Sequence, residues 1–361
     1  MGFSWLRFYH FRNLEDKTVS TDAKQIFLVG KNGQGKTNFL EAVYFLCYGS
    51  SFRTRQDPNL IREKEKEMGV EGKYSTEDDI LPHDLSIQYR SGKKSINLDE
   101  KEVRDRKELV KTVPCIVFSH EDIEFVNGAP ERKRWFFNQT LSLYDEYTID
   151  MLRNYRKILK MRNTAIKDER FDLLDAYDNQ LARAGFYIQE RRKMVTDWFS
   201  HDFNEMFTSI SGIQKPVELC YYPSWRNLNS EADVVTYLDD RREKDIALGT
   251  TTSGPHRDRF EFMTENRNFT EFASTGQLRL MSLILRVLQA RFFAGRTGRK
   301  PVFLIDDVLL EMDRGRRDYF LSRLPEYEQA FFTFLPDEDF SSYKKSGALE
   351  YRVENGRFEN G

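Results

Sequence analysis

Residues 30–37 read Gly30-Lys31-Asn32-Gly33-Gln34-Gly35-Lys36-Thr37. The pattern G-x-x-x-x-G-K-T constrains the fold more than any other stretch, because it works only where a buried strand enters the loop and a helix leaves it. Both flanks are present. Gln25-Ile26-Phe27-Leu28-Val29 is an apolar run rich in strand formers, and the segment from Asn38 to Cys47 is a largely apolar helical run. The glycines let the backbone turn sharply and aim its N–H groups at anionic oxygens. Lys36 is a mobile point charge that can reach the β- and γ-phosphates. The Thr37 hydroxyl suits the oxygen shell of Mg²⁺. The helix start adds its own positive end. Gly30 through Asn38 are therefore read as a nucleotide-binding loop, with ATP and Mg²⁺ as its expected occupants.

The chain has 361 residues, room for about two domains and a large core. Hydrophobic residues make up 39% and charged residues 32%, the balance of a globular protein with a heavily charged surface. No apolar run is long enough to span a membrane. The start, Met1-Gly2-Phe3-Ser4-Trp5-Leu6, has neither the basic region nor the apolar stretch of a signal peptide. Cys47, Cys115 and Cys220 are far apart and read as reduced thiols, so a cytoplasmic protein is expected. The net charge of −2 carries no overall nucleic-acid signal, and DNA contact would have to come from local patches.

Taken in order, Phe3 to Phe11 reads as an aromatic-rich strand, with Arg12-Asn13 after it. The polar stretch 62–79 is expected to be a long loop. Residues 85–98 read as a hairpin turning at Ser91-Gly92, and Val113 to Phe118 as a buried strand. Residues 131–200 are mostly helical in pattern. Leu174, Tyr177, Leu181, Ala184, Ile188, Arg191, Val195 and Trp198 alternate three- and four-residue spacings, the seam of one helix packing on another. Strands are expected at 215–222 and around Phe260, then a long apolar helix from Gln277 to Phe293. Strands follow at 301–305 and 330–334, and the tail reads as a hairpin with an Asn355-Gly356 turn.

Asp306 follows four apolar residues, so it falls at the end of a buried strand, where a carboxylate can hold Mg²⁺. Asp307, next along, would face the other way if the strand continues. Asp306 is assigned to the metal with Thr37, and Asp307 to polarising the attacking water, with Lys36 as the other catalytic residue. Ser274-Thr275-Gly276-Gln277 opens the helix before that strand and offers a hydroxyl and free N–H groups to an anion. Lys36 and Asp306 lie 270 residues apart (306 − 36), more than a small kinase or GTPase needs. That layout fits a split ATPase head, whose two ends make one sheet with a helical lobe inserted. It resembles the ABC-type ATPases, whose signature motif closes over the γ-phosphate held by a partner subunit. The expected fold class is therefore α/β: a P-loop head with a mixed β-sheet core and an inserted, mostly helical lobe. Residues 1–118 with 296–361 would form the core, and 119–295 the lobe that carries the signature.

More specifically, the chain resembles the RecF family, bacterial recombination mediators of the SMC-like branch of the ABC-type ATPases, over nearly its whole length. The resemblance is carried by Phe11-Arg12-Asn13, the P-loop with Leu40-Glu41-Ala42, Ser51-Phe52-Arg53-Thr54, Phe118 to Ile123, Gly254-Pro255-His256-Arg257-Asp258, Ser274 to Gln277, and Asp306-Asp307-Val308 through Asp313. Arg12 and Asn13 are thereby implied in ATP binding, and Asp313 as the acid of the D-loop. The chain departs from the family pattern at His120 (usually Pro), Asn138 (commonly Asp) and Leu310 (usually Ser). Thr333 stands where transporter-type ATPases carry a switch histidine, which implies slow hydrolysis. The resemblance further implies an ATP-dependent homodimer on double-stranded DNA near junctions with single-stranded DNA. It implies slow, DNA-stimulated ATP hydrolysis, and help with RecA loading alongside RecR and RecO.

Arg132, Lys133, Arg134, Arg156 and Lys160 form a basic region interleaved with Trp135, Tyr144 and Tyr155 and could track phosphates. His256 and Arg257 either anchor a turn or support the site. The alternative reading is an ABC-type ATPase subunit of a transport or other SMC-like complex; a transporter would need a membrane partner and a switch histidine. A DNA clamp with a relict P-loop is disfavoured by intact Lys36, Thr37, Asp306 and Asp307, and a P-loop kinase by the 270-residue separation (306 − 36).

Overall fold

The computed structural model describes residues 2–213, 215–309 and 312–361. Leu310 and Glu311 of the D-loop segment lie outside the described residues. The chain divides into two compact units, Met1–His120 with Ala290–Gly361, and Glu121–Gln289. Helix Thr275–Thr297 begins in the second unit and ends in the first.

The first unit holds two six-stranded sheets. One is antiparallel, in the order Thr18–Ser20, Gly2–Tyr9, Met68–Ser75, His83–Arg90, Lys93–Leu98, Lys101–Glu102. The other runs Arg357–Asn360, Leu349–Glu354, Gln25–Val29, Gln329–Phe334, Val302–Ile305, Cys115–Phe118, and is parallel except for its outermost pair. The four strands from Gln25–Val29 to Cys115–Phe118 are buried along their length, so they read as largely apolar runs. Helix Lys36–Tyr48 shares one core with both sheets: Phe39, Phe45 and Leu46 pack with Phe3, Leu6 and Val70 of the first and with Ile26, Leu28 and Phe331 of the second. A helix with sheet on both sides must be apolar nearly all round.

The expected loop at 62–79 is corrected. Met68–Ser75 is an eight-residue strand paired antiparallel with Gly2–Tyr9 and with His83–Arg90. Its charges, Glu71 and Lys73, sit on the outer face, while Met68, Val70 and Tyr74 point inward. Alternation with only three large apolar residues, broken by Gly69 and Gly72, hides the period of two.

The second unit is built on helices Pro130–Tyr144, Glu146–Lys167 and Leu174–Ser211, with a three-stranded antiparallel sheet of Arg267–Asn268, Arg259–Thr264 and Glu218–Tyr222. Leu181, Ala184 and Ile188 of the seam pack on Met151, Tyr155 and Ile158 around Trp225. Arg162 and Arg192 are among the arginines buried here with their counter-charges. Arg162 bonds Asp178 at 2.5 Å and Asp245 at 2.7 Å. Arg192 bonds Asp258 at 2.8 Å, the Pro255 carbonyl at 2.6 Å and the amide oxygen of Asn138 at 3.0 Å. Asn138 thus keeps the acceptor that an aspartate would offer, while Asp258 alone brings the negative charge, as a buried arginine requires.

Candidate nucleotide site

Three parallel strands deliver the site. Gln25–Val29 runs into the P-loop, Val302–Ile305 ends at Asp306, and Gln329–Phe334 lies between them carrying Thr333. Their C-terminal ends therefore converge, where open α/β sheets bind ligands.

Gly30 passes so close to the neighbouring strand that a Cβ on it would lie 2.4 Å from the Val353 carbonyl oxygen. Lys36 is buried, and its Nζ donates to the Gly30 carbonyl at 2.7 Å and the Lys31 carbonyl at 3.3 Å, with an Asp307 oxygen 3.9 Å away. Lys31, Asn32 and Gly33 are exposed at the rim. Thr37 Oγ1 donates to Asp306 Oδ1 at 2.8 Å. The strand stops at Ile305, so Asp307 is not turned away by strand alternation; it sits at φ +53°. Asp307 instead bonds Thr333: its N–H donates to the Thr333 hydroxyl at 2.7 Å, and that hydroxyl donates to Asp307 Oδ1 at 2.6 Å. Burial, and then the neighbouring Asp307 charge, push the Asp306 carboxyl up to about 6, while Thr37 and His120 oppose the rise.

Arg12 and Asn13 support the loop from the side. The Arg12 guanidinium forms a two-pronged bond to the fully buried Glu41 carboxylate, 3.0 Å on each arm. Asn13 Oδ1 accepts from Asn38 Nδ2 at 2.7 Å, and Asn38 Oδ1 accepts from Arg53 at 2.9 Å. Arg12 is thus engaged within the protein. Glu41 and Arg53, quoted above only within family motifs, complete this scaffold; a carboxylate inside an apolar helix was the available signal.

The oxygen set fits Mg²⁺. Thr37 and Asp306 are hard donors, and among the described residues no cluster of three or more His, Cys, Asp or Glu side chains could hold a metal. A site with few protein ligands leaves room for the waters and phosphate oxygens that Mg²⁺ retains.

The other expected residues fall elsewhere. Ser274 and Gln277 form a reciprocal cap: the Ser274 N–H donates to Gln277 Oε1 at 2.8 Å, and the Gln277 N–H to Ser274 Oγ at 3.3 Å. Ser274, Thr275 and Gly276 are exposed. Asp313 caps helix Arg314–Arg323, accepting from the Arg316 N–H at 3.0 Å. The basic set splits. Arg156 and Lys160 are exposed on one helix face. Lys133 is buried and Arg134 bonds the Asp258 carbonyl at 2.9 Å, so neither offers a free surface cation, and Arg132 pairs with Glu124. His256 is held on both ring nitrogens, Nδ1 by the Tyr155 hydroxyl at 2.7 Å and Nε2 by the Thr251 carbonyl at 3.1 Å. It anchors the turn.

A P-loop and a strand-end carboxylate joined through one sheet, with an inserted helical unit that opens a helix on Ser-Thr-Gly-Gln, define an ABC-type, SMC-like ATPase head. The description "RecF/RecN/SMC N terminal domain" matches residues 3–351. The DNA replication and repair protein RecF of Treponema pallidum (strain Nichols) is 42% identical over 353 residues, covering 96% of this chain and 98% of that protein. RecF of Leptospira interrogans serovar copenhageni is 31% identical over 348 residues, covering 95% and 94%. A solved structure of "the recombination mediator protein RecF-ATP in RecFOR pathway" superposes with a TM-score of 0.89 at 26% identity, over 100% of this chain and 97% of that one. An Smc head bound to the C-winged helix domain of ScpA shares the fold, with a TM-score of 0.58 at 16% identity. The chain belongs to the RecF family, ATP-binding ATPases of DNA replication and recombinational repair. Among the described residues no helix is long and apolar enough to cross a membrane.

Proposed function

We propose that this chain is an ATP-switched DNA-binding protein of recombinational repair. The observation that carries the reading is the 2.8 Å hydrogen bond from Thr37 to Asp306, which joins two motifs 269 residues apart at one point. Gly30 to Asn38 cradle the triphosphate, and Lys36 swings from the loop carbonyls to the β- and γ-phosphates. Thr37 and Asp306 would hold Mg²⁺, which when bound neutralises phosphate charge. Asp307, oriented by Thr333, accepts the proton of the attacking water. Ser274 to Gln277 close over the γ-phosphate of a second copy and Asp313 contributes at the same junction, so ATP joins two identical subunits. Residues 1–118 with 296–361 act as the core lobe and 119–295 as the signature lobe.

The ATP-bound dimer binds double-stranded DNA near single-stranded gaps, with exposed Arg156 and Lys160 among the phosphate contacts, and assists RecA loading with RecR and RecO. The RecF relatives and the solved structure of RecF-ATP in the RecFOR pathway support this reading. The absence of a switch histidine at Thr333 favours slow turnover.

The test is DNA binding with and without ATP, with oligomeric state read in the same samples, for wild type and Lys36→Ala. ATP should raise both dimer and DNA-bound fractions in wild type only. Binding should fall steeply with salt and depend little on base sequence. If Lys36→Ala dimerises, hydrolyses ATP and binds DNA as wild type does, the reading is wrong.

A further inference from the structure

The tail hairpin is built against the phosphate loop. Leu349–Glu354 pairs in parallel with the P-loop strand, Leu349 opposite Ile26 and Arg352 opposite Val29, and returns as Arg357–Asn360. Asn355 at φ +48° and Gly356 at φ +79° make the two-residue turn. The Asn355 N–H donates to Gln34 Oε1 at 2.8 Å, and the Gly356 N–H donates to the Gln34 carbonyl at 2.8 Å. The Gly356 carbonyl accepts from the Glu15 N–H at 2.9 Å. Gly356 Cα stands 3.3 Å from where a Cβ on Gly35 would be. With Val353 against Gly30, the hairpin bears on three positions of the loop.

A P-loop binds phosphate with backbone N–H groups that must converge. Its glycines make other backbone conformations cheap, so the convergent shape has to be held from outside. Lys36 bonds the loop from within, to carbonyls it must release to meet phosphate. The hairpin holds it at Gln34, through the side-chain and carbonyl oxygens rather than the N–H groups that face phosphate.

We propose that the Asn355-Gly356 turn is a positioning element of the nucleotide site, holding Gln34 so that the loop is shaped for phosphate before ATP arrives and thereby setting ATP affinity. This rests on the reading of residues 30–38 as the ATP loop. The turn touches no reacting atom, so its effect falls on binding and not on the chemical step.

Two glycines of equal φ make the test. At Gly356 (φ +79°) a Cβ would lie 1.8 Å from the Asn13 carbonyl oxygen; at Gly347 (φ +79°) a Cβ would meet nothing within 4 Å. Gly347→Ala therefore carries the backbone strain without the displacement. Equilibrium ATP binding, KM, kcat and thermal midpoint are measured for wild type, Gly356→Ala, Gly347→Ala and Lys36→Ala. Gly356→Ala should bind ATP roughly tenfold or more weaker with kcat at saturation little changed, while Gly347→Ala binds as wild type. If Gly356→Ala does not fold, Gln34→Met decides: it removes the acceptor of Asn355 at nearly constant size and should weaken ATP binding by roughly threefold or more. Equal ATP affinity in Gly356→Ala and Gly347→Ala, a fall in kcat with KM unchanged, or unaltered affinity in Gln34→Met overturns the proposal. Wild type that fails to bind ATP, or Lys36→Ala that binds like wild type, overturns the nucleotide reading instead.

Discussion

The Thr333 hydroxyl and Asp307 are bonded to each other twice, the Asp307 N–H donating to the hydroxyl at 2.7 Å and the hydroxyl donating back to the carboxylate at 2.6 Å. This closed pair holds a non-glycine residue at φ +53°, a backbone conformation that few side chains adopt unaided. Thr333 also lies 3.3 Å from Asp306, so one hydroxyl touches both acids at the end of the sheet.

Thr333→Val keeps the shape of the side chain and removes that hydroxyl. ATP binding should persist, because the P-loop is untouched, while single-turnover hydrolysis should fall roughly tenfold as Asp307 loses its orientation. Thr333→Ser should recover most of the rate. Hydrolysis by Thr333→Val at the wild-type rate would show that Asp307 is positioned by something else.

Asp307→Asn retains shape and loses the base. Turnover should drop by about 10²- to 10⁴-fold with ATP affinity preserved, and ATP should trap a longer-lived dimer visible by size-exclusion chromatography. Loss of nucleotide binding instead would make Asp307 a metal ligand and reverse the roles given to Asp306 and Asp307.

Ser274→Arg tests whether the site is shared between copies. Ser274 is exposed at its helix start and forms a reciprocal cap with Gln277. The variant should fold and bind ATP, yet form no ATP-induced dimer and show no ATP-stimulated DNA binding. Mixed with Lys36→Ala, it should regain one competent site per heterodimer. ATP-induced dimers of the variant alone would rule out a composite site.

Protonation of His256 sets an acid limit on stability. Its Nε2 faces a carbonyl and so carries the proton, leaving Nδ1 to accept from Tyr155. Burial pushes the imidazole down from 6.5 to about 4; Arg257 and Arg134 add to this, while the Thr251 bond and Asp258 oppose it. Between those values the unfolded chain binds the extra proton, so stability is full above about pH 6.5 and declines toward pH 4, by about 3 kcal/mol in all. In urea unfolding, His256→Gln should lose at least about 1 kcal/mol less than wild type between pH 7 and 4.5. An identical acid slope in both proteins would refute this.

The P-loop, the strand-end acids and the signature cap were legible because each demands particular residue types at fixed spacing, whatever surrounds them. The strand Met68–Ser75 was not, because its outer face is charged and Gly72 interrupts its inner one. Lys133 and Arg134 read as cations of a phosphate-tracking patch, yet Lys133 is buried and Arg134 bonds the Asp258 carbonyl within the second unit; a count of charges does not reveal how a helix is turned or which carbonyl folds in beside it. The Asn355-Gly356 hairpin was plain, but its bonds to Gln34 were not. They span 321 residues and use backbone N–H groups, which leave no mark in side-chain pattern.

The strand order has a consequence for biosynthesis. Gln25–Val29 emerges early from the ribosome, but both its neighbours, Gln329–Phe334 and Leu349–Glu354, come 300 residues or more later (329 − 29 = 300). At roughly 5–20 residues per second that is an interval of about 15 to 60 s. Throughout it, the nascent chain carries a largely apolar strand with both edges open, a template for wrong pairing. The P-loop strand therefore gains both of its sheet neighbours, and the loop its support, only after residue 354 has been made.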